Sequence, residues 1–267
     1  MTEKRLKIGL VGCGVWGSLI LRDLVALDCD VTVVARSTAS CNRAAERGAA
    51  RIISSVPELG EVSAVVVCVP ISRHFAVISE VLDLYPNFPI FTEKPLVDKV
   101  EEAETLFSRA AANLFVMDKW RYHPGVLQLA EIARSRELGQ VIGLSTVRVA
   151  WGNRHPDTDP VWMLLPHDLA IVGEVLGSIP EPFSAIADCV AGVPCGMTAL
   201  LRDRDEASLP WAICQVSARS PNKIRSVHLY CEHGVAMLSD AYAENLEIAR
   251  HRASTPDRPE IERRNVL

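Results

Sequence analysis

Residues 7–38 read KIGLVGCGVWGSLILRDLVALDCDVTVVARST. The apolar run LKIGLVG (6–12) leads into a cluster of glycines, and VWGSLILRDLVAL then repeats its apolar residues at helical spacing. VTVVAR (31–36) returns to a strand pattern. Between the first strand and the helix lies Gly12-Cys13-Gly14-Val15-Trp16-Gly17, a GxGxxG match in the strand-to-helix context that makes it informative. Gly12 permits the tight turn, Gly14 lets a pyrophosphate approach the backbone, and Gly17 allows close packing of helix on sheet. Val15 and Trp16 open the helix, whose N–H groups and positive end face phosphate. The expectation is a dinucleotide-binding βαβ unit.

The end of the second strand bears on which dinucleotide is bound. An NAD site places a carboxylate there for the ribose hydroxyls, whereas this chain reads Val34-Ala35-Arg36-Ser37-Thr38. A guanidinium pairs with the oxygens of a 2′-phosphate, and neighbouring hydroxyls can donate to them. Arg36 and Ser37 are therefore read as NADP ligands, in preference to NAD. Arg43 and Arg47 on the following helix add positive potential.

Further strand-like runs follow at ARIISS (50–55), SAVVVCVP (63–70), FPIFTE (88–93) and NLFVMD (113–118). Helix-like SCNRAAERG, SRHFAVISEVLDL and VDKVEEAETLFSRAA separate them. Near-continuous Val/Ile runs suit strands covered on both faces, and the alternation implies parallel crossovers. Residues 1–120 are thus expected to form a doubly wound parallel α/β sheet. Over 121–267 the pattern changes. Helical stretches at 124–139 and around 162–177 flank VIGLSTVRVAWG, and after Pro182 successive strands follow with few helices between them. This predicts a second, α+β domain with a large open mixed or antiparallel sheet. The polar tail STPDRPEIERRNVL is expected to be loosely held.

The formal charge of −5 argues against a nucleic-acid binder, which carries a basic stripe. The chain has no long uncharged apolar run, so no membrane span is expected, and the N-terminus lacks the pattern of a secretion signal. The reading is a cytoplasmic protein acting on a small molecule. The eight cysteines form no Cys-x-x-Cys pair and the seven histidines show no close ligand spacing, so buried free thiols and no metal site are expected.

Three more elements carry a resemblance: Val69-Pro70-Ile71-Ser72-Arg73-His74 after the fourth strand, Glu93-Lys94-Pro95 after the fifth, and Pro166-His167-Asp168 in the second domain. With the glycine loop, their order and spacing are similar to those of the Gfo/Idh/MocA family of NAD(P)-dependent oxidoreductases. The resemblance implies a Rossmann domain, then a domain for substrate binding and oligomerisation, with homodimers or homotetramers formed through its sheet. It implies hydride transfer between nicotinamide and a hydroxyl or carbonyl carbon of a sugar, polyol or related molecule. It places Pro70, His74, Glu93 and Lys94 at the cofactor, and implies that the peptide before Pro95 is cis. Lys94 and His167 match the family's catalytic pair. Histidine titrates near neutrality and suits proton transfer, while an ammonium stabilises charge developing on a substrate oxygen.

Lys119, Arg121 and Tyr122, in Lys119-Trp120-Arg121-Tyr122-His123-Pro124, correspond to the family's substrate-lining stretch, and Asp168 is read as a further substrate residue. The loop Trp151-Gly152-Asn153-Arg154-His155 is a second candidate wall. One departure stands out. Family members often carry an aspartate four residues before the histidine, and here that position is Met163. A thioether cannot orient an imidazole, so cyclic imine reduction and NADP sensing without turnover stand as alternatives to alcohol dehydrogenation.

Overall fold

A computed structural model describes residues 5–110, 112–152, 159–203, 210–251 and 258–266. The opening run forms β1 (Lys7–Val11) and the glycine loop leads into α1 (Val15–Ala26). There follow β2 (Asp30–Val34), α2 (Thr38–Glu46), β3 (Arg51–Ile53), β4 (Ala64–Val67), α3 (His74–Leu84), β5 (Ile90–Glu93), α4 (Val100–Ala110) and β6 (Leu114–Met117). The six strands form one sheet in the order β3-β2-β1-β4-β5-β6, with every pairing parallel. The order reverses beside β1, so the carboxyl ends of β1 and β4 flank a topological switch point, where open α/β sheets take ligands. Buried residues lie on both faces, with Leu10, Leu21 and Val33 in one cluster and Val65, Ile78, Ile90 and Leu106 in the other. The Val/Ile runs are two-sided for that reason.

The chain divides into two compact units, 1–117 and 118–267. The second contains α5 (Pro124–Ser135), β7 (Val141–Trp151), α6 (Pro160–Leu176), β8 (Pro182–Val190), β9 (Val193–Leu201) and β10 (Trp211–Ser217). It continues with β11 (Arg219–Cys231), β12 (Gly234–Leu238), β13 (Asn245–Arg250) and β14 (Glu260–Asn265). These strands form one mixed sheet, ordered β14-β13-β12-β11-β7-β10-β9-β8, in which β10 runs parallel to β7 and the remaining pairs are antiparallel. Both helices pack on the same face, where Val126, Leu129, Ile132, Ile171 and Val172 meet Leu144, Ala212, Cys214, Leu229 and Ala236. The run WAICQVS is therefore only half available to an outside partner, because Ala212, Cys214 and Val216 point into this core.

Two expectations change. The tail is not wholly loose: residues 260–265 pair with β13 as the edge strand β14. Its sequence, EIERRN, hides the strand because edge strands tolerate charges that an interior strand would not. Those charges anchor it. Glu137, just beyond α5, accepts from Arg250 and Arg264, and Glu262 accepts from the same two arginines. The hydrogen bond from Arg264 chiefly holds the Glu137 carboxyl down at about 2. A depressed acid adds stability above its ordinary value near 4.5 and loses it as the pH falls towards about 2. Glu137→Gln is expected to lower unfolding free energy at pH 7 by about 1 kcal/mol in urea titrations. The gap from the parent protein should close between pH 4.5 and about 2. The second change concerns the cysteines. All eight are free, but Cys189 is exposed, and Cys13, Cys214 and Cys231 are the fully buried ones. No helix among the described residues is long and apolar enough to cross a membrane.

Candidate nucleotide and acid–base sites

The glycine loop has the shape a pyrophosphate needs. Gly12 adopts φ +96°, and a Cβ there would sit 2.5 Å from the carbonyl oxygen of Cys68 on the loop after β4. A side chain at position 17 would collide with the Gly12 carbonyl, so both positions require glycine. At Gly14 a Cβ would meet no atom within 4 Å, which marks open space above the loop. Gly14 is also the N-cap of α1; no side chain caps this helix and its first turn carries no acidic residue. Backbone donors and a positive helix end thus face an approachable cradle, which fits a dinucleotide phosphate.

At the end of β2, Arg36 is exposed and its Nε donates to the Ser54 carbonyl at 3.2 Å. Ser37 caps α2, accepting from the Ser40 N–H at 3.2 Å, so its hydroxyl already serves the helix. Arg43 reaches back to the glycine loop, its Nε donating to the Cys13 carbonyl at 3.0 Å. One guanidinium, that of Arg36, therefore stands where an NAD site would hold a carboxylate, and a second, that of Arg43, is bonded to the glycine loop.

Lys94 follows β5 directly, is half-buried, and is joined to Pro95 by a cis peptide. Glu93 before it accepts a hydrogen bond from the Trp16 indole N–H, which ties the end of β5 to the first turn of α1. Burial pushes the Glu93 carboxyl above its ordinary range, while the Trp16 hydrogen bond and the Lys94 charge pull it back. His74, expected at the cofactor, has another task. It is 2% exposed, with Nδ1 3.0 Å from the carbonyls of Pro95 and Leu96 and Nε2 2.9 Å from that of Val69. Its ring clamps the Glu-Lys-Pro turn to the loop after β4 and has no surface left for a ligand. Pro70, by contrast, is exposed, and precedes the 3₁₀ turn Ile71–Arg73.

The second unit builds its own cluster around α6. Asp159 caps this helix, accepting from the Val161 N–H at 2.7 Å. Pro166 therefore lies inside the helix and not at its first position, which removes the N–H that would bond the Trp162 carbonyl. His167 is 15% exposed in its side chain, and its Nδ1 lies 3.2 Å from Asp118 Oδ2. Asp118 also caps the 3₁₀ turn Lys119–Tyr122, its Oδ1 accepting from the Trp120 N–H at 3.0 Å. Trp120 is 3% exposed, stacks on His123, and lies under the Arg148 guanidinium at 4.4 Å. Arg148 Nε donates to Asp168 Oδ2 at 2.8 Å.

That last bond corrects the expectation for Asp168. Its side chain is 2% exposed and closed off by Arg148, so it holds α6 to β7 and does not face substrate. Burial raises its carboxyl above the ordinary range, opposed by Arg148. Lys119, Arg121 and Tyr122 are exposed, and Arg121 is paired with Glu174 at 3.2 Å. Trp151 and Gly152 are exposed; Asn153, Arg154 and His155 lie outside the described residues. Sequence reading missed Asp118 and Arg148, because Asp118 lies 49 residues before the histidine it meets and neither belongs to a recognisable motif.

Residues 6–116 match the model of the GFO_IDH_MocA family, described as an oxidoreductase family with an NAD-binding Rossmann fold. No curated protein matches the sequence. Among solved structures, the UDP-N-acetylglucosamine 3-dehydrogenase GnnA from Acidithiobacillus ferrooxidans is 23% identical with a TM-score of 0.80, over 98% of this chain and 83% of that one. A levoglucosan dehydrogenase in complex with NADH and levoglucosan is 13% identical with a TM-score of 0.82, over 98% and 80% of the two chains. GenD2 from gentamicin A biosynthesis, in complex with NAD, is 24% identical with a TM-score of 0.74, over 90% and 73%. At these identities the likeness establishes a shared fold.

Proposed function

We propose that this chain, whose residues 6–116 match the model of the Gfo/Idh/MocA oxidoreductase family, is an NADP-dependent oxidoreductase acting on a hydroxyl or carbonyl carbon of a sugar, polyol or related small molecule. The observation that carries the reading is the bond from Trp16 to Glu93, because it fastens the lysine-bearing end of β5 to the helix that faces the cofactor phosphates. Two similarly folded proteins, a UDP-N-acetylglucosamine 3-dehydrogenase and a levoglucosan dehydrogenase, agree with this substrate class.

In this reading the glycine loop holds the pyrophosphate, and Arg36 and Arg43 take the 2′-phosphate. The nicotinamide, when bound, supplies or accepts the hydride. Lys94 donates a hydrogen bond to the substrate oxygen and stabilises negative charge as it develops there. His167 returns the proton to that oxygen in reduction and removes it in oxidation. The second unit binds the substrate, with Lys119 and Tyr122 exposed on its 3₁₀ turn. It also forms homo-oligomers through the sheet face opposite α5 and α6.

NADPH oxidation followed at 340 nm against keto-sugars and imines tests the activity. Tight NADP binding with no turnover on any of them would favour a sensor instead. Cofactor choice has its own test. Arg36→Ala is expected to weaken NADP binding about tenfold or more, the worth of one charge-assisted hydrogen bond, and to leave NAD nearly unchanged. Equal weakening of both by calorimetry would contradict the 2′-phosphate assignment.

A further inference from the structure

We infer that Asp118 is the positioning residue for His167, supplying from a separate chain segment the carboxylate that position 163 on α6 lacks. The inference rests on reading His167 as the proton-transfer group.

The argument begins with what each atom can do. An ionised carboxylate only accepts hydrogen bonds. Asp118 Oδ1 is taken by the Trp120 N–H at 3.0 Å, and Oδ2 faces His167 Nδ1 at 3.2 Å. Nδ1 must therefore carry the proton of the neutral ring. That sets the tautomer, and Nε2 becomes the nitrogen with a lone pair for the substrate proton. Within α6 itself, the side chain one turn before His167 is Met163, which offers no such acceptor.

Asp118 is placed firmly enough for the task. Its side chain is 8% exposed, and it is held as the cap of a turn whose Trp120 is buried beneath Arg148. Arg148 in turn binds Asp168, the residue after His167. Carboxylate and imidazole are thus fastened at both ends of one buried chain of contacts: Asp118, Trp120, Arg148, Asp168 and back to α6. Arg148 is matched by Asp168 at 2.8 Å, so the two acids have distinct partners. An acid serving only as a turn cap would not need its second oxygen on the histidine ring.

Asp118→Asn separates the two roles. The amide oxygen can still accept from Trp120, preserving the cap, while the amide nitrogen then donates to Nδ1 and favours the tautomer with hydrogen on Nε2. Nitrogen-15 NMR of histidine-labelled protein, with His167 assigned through His167→Gln, reads the tautomer without any substrate. The expected result is Nδ1–H in the parent protein and Nε2–H in Asp118→Asn. Turnover should fall on the order of 10²-fold, the usual worth of a general acid–base group, with KM changed less than about threefold. The kcat–pH profile should shift with the tautomer. Met163→Asp added to Asp118→Asn should restore Nδ1–H and recover at least about tenfold of the lost kcat.

Nε2–H in the parent protein would overturn the proposal without any variant, so a failure of Asp118→Asn to fold leaves it open to refutation. So would an unchanged tautomer in Asp118→Asn, whether or not turnover falls. If no substrate is turned over but the tautomer switches as expected, the oxidoreductase reading fails and the assignment of Asp118 to His167 stands.

Discussion

Lys94→Ala is expected to lower kcat/KM by about 10²–10³-fold, the cost of removing one donor from a developing oxyanion. The backbone at this position is firmly held. Lys94 leaves β5 between Glu93, held by Trp16, and a turn whose carbonyls are clamped by the buried His74. Its backbone is therefore fixed independently of its side chain, and the truncated protein should fold and keep NADP affinity within a few fold. A solvent ammonium cannot replace a tethered one, because the tether removes the entropy of bringing charge to the oxygen. Steady-state kinetics on any accepted carbonyl substrate, with NADP titrated separately, provide the check. Unchanged kcat/KM would remove Lys94 from the mechanism, and loss of NADP binding alone would make it a cofactor residue.

The second large effect is on stability. Arg148→Met is expected to destabilise the second unit by about 3–5 kcal/mol, because it leaves Asp168 a buried carboxylate with its cationic partner gone. The side chains of the pair are 6% and 2% exposed, so water cannot take the place of the missing guanidinium. The Trp120 ring also loses the cation above its face. Arg148→Met combined with Asp168→Leu should recover most of the loss, since a buried ion pair and an apolar pair of similar volume differ little in stability. The single variant carries a pH signature. Burial already raises the Asp168 carboxyl, and removing Arg148 removes the main opposing influence. A raised acid binds its proton more tightly in the folded state, so stability should fall as the pH rises and be best retained in mild acid. Urea unfolding of the parent protein and the two variants between pH 5 and pH 8 measures this, and a flat, small loss in Arg148→Met would show that the pair contributes little.

Much of this protein is legible locally. The glycine loop is one example. That Gly12 takes a positive φ and that Gly14 faces open space follow from a motif only six residues long, read between an apolar strand and an apolar helix. The six parallel strands declare themselves through two-sided Val/Ile runs, and the change to an open mixed sheet shows as strands that follow one another without helices. Local pattern works in these cases because backbone geometry and burial impose a period on neighbouring residues.

Other features have no local period. The strand 260–265 looks like a charged tail until Glu137, Arg250 and Arg264 come together, and that contact spans 127 residues. His74 sits in a motif suggestive of the cofactor, yet packing turns its ring to the carbonyls of the Lys94 turn. Asp168 directly follows His167 and is read from the sequence as a substrate residue, but helix geometry sends it to Arg148 instead. The carboxylate that does reach His167 comes from Asp118, at the start of the second unit. The sequence by itself determined the parallel strands of the first unit and the glycine loop between the first of them and its helix. Only the tertiary structure decided which acid meets which base, because that choice depends on how distant segments pack and on which side chains the packing leaves within hydrogen-bond reach.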